Sequence, residues 1–141
     1  AKIKKESLGF VGNRMQLALL REAFNIINEG IADAETVDTV VRYSLGRRWN
    51  LVGPVASADL GGLDTFYNIS TYLFKDMDNG TEPSLLLAWK VQDGNLGTKT
   101  GRGFYEWQGE DGQRIIRERD EQLMQQLAED AAVEDADCKS E

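Results

Sequence analysis

Four groups of residues have types and spacing suited to chemistry. Asn13 stands between Gly12 and Arg14, at the head of a very apolar segment. A neutral amide there donates a hydrogen bond to a substrate carbonyl or hydroxyl, or orients a catalytic base. The competing role is a helix N-cap, which uses the same side chain, and the residue pattern alone favours the cap. Asp59 and Asp64 flank Gly61-Gly62. As a pair they suit acid–base work; as separate residues they suit a hydrogen-bonded helix end and an N-cap. Arg47 and Arg48 suit an anion such as a phosphate, and equally a solvated or salt-bridged pair. Gly97-Thr-Lys-Thr-Gly-Arg-Gly103 invites a phosphate-loop reading, but Gly97 is followed by Thr98 where a Walker A loop needs Gly-Lys-[Ser/Thr]. Turn chemistry suits it better.

What is missing narrows the chemistry further. The 141 residues include no histidine and one cysteine. That excludes a His-based triad, a Cys–His pair, a His base and a His metal ligand. A lone cysteine closes no internal disulfide and builds no thiolate zinc site, so no metal site is expected. No G-x-G-x-x-G occurs, so no dinucleotide is expected to bind within this domain. Any reaction therefore uses Asp, Glu, Lys, Tyr, Asn or Ser, or borrows groups from another chain or domain. The net charge of -8 is uneven. Residues 1–105 hold twelve acids and twelve bases, so the excess acidity belongs to residues 106–141. A neutral body with an acidic tail does not attract a phosphate backbone, and nucleic acid is not an expected partner. No apolar run suits a membrane span, and the charged start lacks a signal-peptide core. A cytoplasmic location is the expectation.

The elements that must position these residues read as helices. The length fits one compact domain with one core. Lys2 to Glu6 reads as the last strand and linker of something preceding. Residues 10–29 read as a long helix in which Leu17, Leu20, Phe24 and Ile27 form one apolar stripe. Met15, Leu19 and Ile26 widen that surface past one face, as in a helix that serves both a core and an interface. Gly30 ends it. Asp33 caps a second helix with Glu35 in its first turn, and Gly46 stops it. Arg47 to Val52 reads as a loop leading to Gly53-Pro54, where Pro54 opens a short helix to about Leu60. Gly61-Gly62 breaks it. Asp64 starts a fourth helix, Asp78-Asn-Gly-Thr81 is a turn, and Pro83 opens a fifth helix to about Gln92. The Gly97–Gly103 loop follows, then a short extended stretch around Phe104–Trp107. Residues 114–131 read as a polar helix ahead of a tail. The fold class expected is all-α, a helical bundle with short connections.

Three of these segments, taken in order, resemble a known family. Gly9-Phe-Val-Gly-Asn-Arg-Met15, Gly53-Pro-Val-Ala-Ser-Ala-Asp-Leu-Gly-Gly-Leu-Asp64 and Gly97-Thr-Lys-Thr-Gly-Arg-Gly-Phe-Tyr105 resemble the C-terminal domain of 3-hydroxyacyl-CoA dehydrogenases, including the 3-hydroxybutyryl-CoA dehydrogenases of fatty-acid metabolism. The resemblance implies a helical domain of the 6-phosphogluconate dehydrogenase C-terminal-like type. It assigns residues 1–9 to a Rossmann-domain remnant and linker, 10–107 to the helical domain, and 108–141 to an acidic helix and tail. It implies a homodimer, an N-terminal Rossmann domain holding NAD and a His–Glu pair, and an acyl-CoA substrate. The implied reaction is reversible hydride transfer from the C3 carbinol of an L-3-hydroxyacyl-CoA to NAD, for which the isolated chain would be inactive. Asn13 matches the family Asn that positions the catalytic His and substrate, which raises its functional reading above the cap. Gly53 and Pro54 match the turn beside the acyl-CoA cleft. The Gly97–Tyr105 segment is taken as structural. The sequence departs from the family at Gly53-Pro-Val-Ala, where Gly-Pro-Phe-Glu is common. The alternative is a non-catalytic helical dimerisation or binding module.

Overall fold

A computed structural model describes the backbone of residues 3–138 and the side chains of residues 3–132. Helices dominate, and no β-strand forms among the described residues. Contacts divide the chain into two units, Ala1–Trp89 and Lys90–Glu141.

The first unit holds α1 (Phe10–Asn28), α2 (Ala34–Val40), a π-helical turn (Val41–Leu45), α3 (Gly46–Gly61) and α4 (Leu63–Leu73). It also holds most of α5 (Leu85–Gln92). Helix α1 closes as a Schellman motif: the Ile31 N–H donates to the Ile26 carbonyl at 3.0 Å and the Gly30 N–H to Ile27 at 3.1 Å. Gly30 supplies the left-handed residue this ending needs, with φ 69°. Asp33 caps α2 as expected, accepting from the Thr36 N–H at 2.8 Å. The Asx turn at Asp78, where the Gly80 N–H donates to Asp78 Oδ1 at 2.7 Å, is tied to α1. Glu22 Oε2 accepts from the Asp78 N–H at 2.9 Å, and Arg21 donates to the Gly80 carbonyl at 3.4 Å.

Several expectations need correction. Residues 3–6 form no strand, and Lys2 lies outside the described residues. An extended segment has no ladder to join where no neighbouring strand is present. Gly46 does not stop the second helix. It keeps helical φ -60° and ψ -40°, and the chain runs on from α2 through the π turn into α3. Arg47 to Val52 is accordingly helix rather than loop. The π turn inserts an extra residue, which shifts the apolar period and hides the continuity from a strict 3.6-residue count. The real break is at Gly53, whose φ 71° and ψ 169° are open only to glycine. Pro54 then starts the next helical segment as expected. Helix α5 begins at Leu85, two residues past Pro83.

The expected core is not assembled. No hydrophobic side chain is fully buried among the described residues. Leu17, placed on the core stripe, is 65% exposed, while Phe24 and Ile27 are half-buried. Helix α4 leaves Leu63, Phe66 and Tyr67 open. α1 packs on α2, and α3 packs on the π turn and α4, so each helix covers only part of its neighbours' apolar surface.

The second unit is a glycine-rich loop and a long helix, α6 (Glu110–Cys138), which starts before and ends beyond the expected 114–131. Isolated bridges Gly97–Arg102 and Arg102–Glu106 stand in for the expected extended stretch. The Lys90 ammonium donates to the Gly103 carbonyl at 3.0 Å and lies 5.2 Å from the Phe104 ring centre. Gly103 is buried, and a Cβ on it would stand 2.9 Å from Gly97 Cα. That crowding excludes a side chain at Gly103, whereas Gly97 and Gly101 are required by their positive φ of 71° and 82°. Along α6, Arg114 pairs with Glu118 at 3.0 Å and Asp111 at 3.4 Å.

Candidate functional site

The Asn13 site begins with an unusual helix start. Gly9 is left-handed at φ 77°, and Phe10 follows with φ 49°. A positive φ at a bulky non-glycine residue is a strained conformation of the sort that clusters at functional sites. The Phe10 N–H donates to the Ser7 carbonyl at 3.0 Å, closing the turn. Because Gly9 admits this turn, α1 starts at Phe10, and Gly9 occupies the cap position. The N-cap expectation for Asn13 is therefore wrong: Asn13 sits inside the first turn of α1. Its side chain is exposed and makes no hydrogen bond within the chain among the described residues. Its amide keeps two donors and an acceptor for a partner outside the chain.

Gly53 and Pro54 lie at the kink of α3. Nothing stands within 4 Å of a Cβ built on Gly53. Its glycine requirement thus comes from backbone conformation, and the turn presents an open face. No packing contact joins α1 to α3, so the chain does not by itself bring Asn13 and Gly53-Pro54 into one site.

Pro54 borders a groove of about 570 Å³. Leu45, Trp49, Pro54, Leu60 and Phe66 line it, with Arg48 and Ser57 as its polar members. Leu45, Trp49 and Val52 recur at helical spacing from the expected second helix into the Arg47–Val52 stretch, so the missed signal was the i, i+4, i+7 stripe. Arg48 donates to Ser44 Oγ at 3.4 Å and forms no ion pair among the described residues. The Ser57 hydroxyl oxygen is occluded and has no hydrogen-bond partner among the described residues.

The other candidates resolve differently. Arg47 stacks on the Tyr43 ring at 4.9 Å, with Arg42 at 5.3 Å from the same ring centre, and the salt-bridged reading of the Arg47-Arg48 pair is not realised among the described residues. Asp64 does not cap α4; Gly62 does, with φ 89°. The Thr36 hydroxyl and the Thr36 N–H together hold the Asp33 carboxyl below the ordinary aspartate value. Glu118 first, then Asp111, raises the Arg114 guanidinium above its usual value. Both are structural contacts on exposed helix turns. No cluster of three or more cysteine, aspartate or glutamate residues suited to a metal occurs among the described residues. No described helix is long and apolar enough to cross a membrane.

The chain carries an open amide at the mouth of α1 and a glycine–proline kink in α3. Comparison with known proteins gives its class. The sequence profile of the 3-hydroxyacyl-CoA dehydrogenase C-terminal domain matches residues 9–107. The chain belongs to this family, and its all-α fold is that of the family's C-terminal domain. It is 33% identical over 122 residues to the 5-formyl-3-hydroxy-2-methylpyridine 4-carboxylate 5-dehydrogenase of Mesorhizobium japonicum, covering 86% of this chain and 40% of that protein. The 3-hydroxybutyryl-CoA dehydrogenase of Bradyrhizobium diazoefficiens is 34% identical over 108 residues, or 76% of this chain and 36% of the relative. The Mycobacterium tuberculosis 3-hydroxybutyryl-CoA dehydrogenase is 37% identical over 98 residues, or 69% and 33%. A crystal structure of a 5-formyl-3-hydroxy-2-methylpyridine 4-carboxylic acid 5-dehydrogenase, described as NAD+ dependent, superposes with a TM-score of 0.81 over 86% of this chain and 39% of that one. The chain thus spans between 33% and 40% of the length of these relatives.

Proposed function

We propose that this chain is the substrate-cleft and dimerisation domain of an NAD-dependent 3-hydroxyacyl-CoA dehydrogenase. In that reading it acts with an N-terminal Rossmann domain to oxidise L-3-hydroxyacyl-CoA to the 3-oxoacyl thioester. Residues 10–107 are the family domain, 108–141 an appended acidic helix and tail, and the location is the cytoplasm. The observation that carries this reading is Asn13, a motif residue released from capping by the Gly9–Phe10 turn. Its amide donates to the reacting hydroxyl or orients the base that takes the hydroxyl proton, which lowers the barrier by positioning. Pro54 forms one wall of the substrate cleft, and Gly53 shapes the turn that exposes it.

The residues present do not fit NAD. The chain has no G-x-G-x-x-G, and its glycine-rich Gly97–Gly103 loop is closed on itself by the Gly97–Arg102 and Gly103–Tyr105 hydrogen bonds, at 2.8 and 2.9 Å. Hydride and proton acceptance therefore belong to the Rossmann domain, and this chain orients and encloses the substrate. The open apolar faces of α1 and α4 support a homodimer, because a helix face of this kind is stable in water only when covered. The test is NADH formation by the natural protein carrying this chain, given L-3-hydroxybutyryl-CoA and NAD. Turnover is expected, and its absence across short and medium 3-hydroxyacyl-CoA esters would overturn the substrate assignment.

A further inference from the structure

We infer that the groove beside Pro54 is a carboxylate subsite: it takes the apolar chain or ring of a small organic acid and pairs its free carboxylate with Arg48. This rests on the reading that Pro54 borders the substrate cleft, and it narrows the acyl group there to one whose end remote from the thioester is a free carboxylate, with simple alkyl 3-hydroxyacyl esters as poorer occupants. Three observations carry it. The groove lining contains one cation and no carboxylate, so its charge is unbalanced in favour of an anion. The Arg48 guanidinium has five donors, of which a single one engages a neutral hydroxyl at the long distance of 3.4 Å. A guanidinium matches a carboxylate with two parallel hydrogen bonds, which a neutral end group cannot reproduce. The walls from Leu45, Trp49, Leu60 and Phe66 suit an apolar body, and the volume of about 570 Å³ suits a small molecule.

The test measures binding rather than turnover, using the natural protein and two acid–amide pairs. Hexanoate against hexanamide represents a chain, and benzoate against benzamide a ring. At least one acid should bind about tenfold or more tightly than its amide, the ratio expected of a charge-assisted hydrogen-bond pair. The acid that binds better identifies chain or ring. Arg48→Gln should bring the acid to the level of its amide, and Arg48→Lys should retain part of the preference. Arg48 is exposed on its helix, so both variants should keep the parent circular dichroism. Equal binding of acid and amide overturns the proposal, as does no binding at millimolar concentration. So does an unchanged preference in Arg48→Gln, or a change of oligomeric state in that variant without acid binding, which would make a second copy the occupant. A protein that binds the acid but never reduces NAD would count against the dehydrogenase reading and leave the subsite intact.

Discussion

Replacing Gly53 by alanine tests the kink that shapes the proposed cleft. Its φ of 71° with ψ of 169° lies where residues with a Cβ are essentially never found. No heavy atom lies within 4 Å of the added methyl, so no steric clash contributes. The cost is therefore that of backbone conformation alone, roughly 1–3 kcal/mol. That corresponds to about a 5- to 150-fold shift in a local opening equilibrium. Gly12→Ala is the matched control. Gly12 is inside α1, its added Cβ would also meet nothing within 4 Å, and its backbone is helical. Alanine there should stabilise by about 0.5–1 kcal/mol. Native-state hydrogen exchange reads each helix separately, so unfolding elsewhere in a longer protein does not mask the effect. Protection of the α3 amides should fall in Gly53→Ala, and that of the α1 amides should rise in Gly12→Ala. If α3 were a straight helix through Gly53, both substitutions would stabilise. An unchanged or increased protection in Gly53→Ala would refute the reasoning.

Two further predictions concern the cap and the open faces. Asp33→Ala removes the Thr36 contact and should destabilise α2 at neutral pH. The Asp33 carboxyl titrates lower when folded than when unfolded, so its contribution is present above the ordinary aspartate range near pH 4 and fades as pH falls through the folded value. The difference between parent and variant in pH-dependent urea unfolding should therefore shrink towards acid; a gap that widens would contradict the assignment. Leu17→Asp places a charge on the broad face of α1, where Leu17 is 65% exposed within one chain. Light scattering should show the proposed dimer dissociate with little loss of helix content, and a persistent dimer would place the interface elsewhere.

Much of the helix order was legible because its signals are local. Gly30, Asp33 and Gly61-Gly62 act through turns and caps within a few residues, and each ends or begins a helix where the pattern places it. The π turn was not legible, because one inserted residue between Val41 and Leu45 breaks the period that identifies a continuing helix. Gly46 looked like a stop because glycine is a poor helix former, yet its position between two helical segments holds it helical. The tie from Glu22 to Asp78 joins residues 56 apart, and no local pattern announces it. At the candidate site the motif around Asn13 was readable, but its role turned on where the helix starts. That start depends on the left-handed pair Gly9 and Phe10, and a positive φ at phenylalanine has no sequence signal. The core residues were identified by type, whereas their exposure depends on surfaces that a single chain does not supply.

The most direct test of the account is the steady-state kinetics of Asn13→Ala in the natural protein carrying this chain. Asn13 makes no hydrogen bond within the chain among the described residues, so its removal should leave folding and the KM for NAD unchanged. Loss of a positioning hydrogen bond should lower kcat by about 10- to 100-fold. A kcat equal to that of the parent would contradict the claim that this domain completes the reaction site.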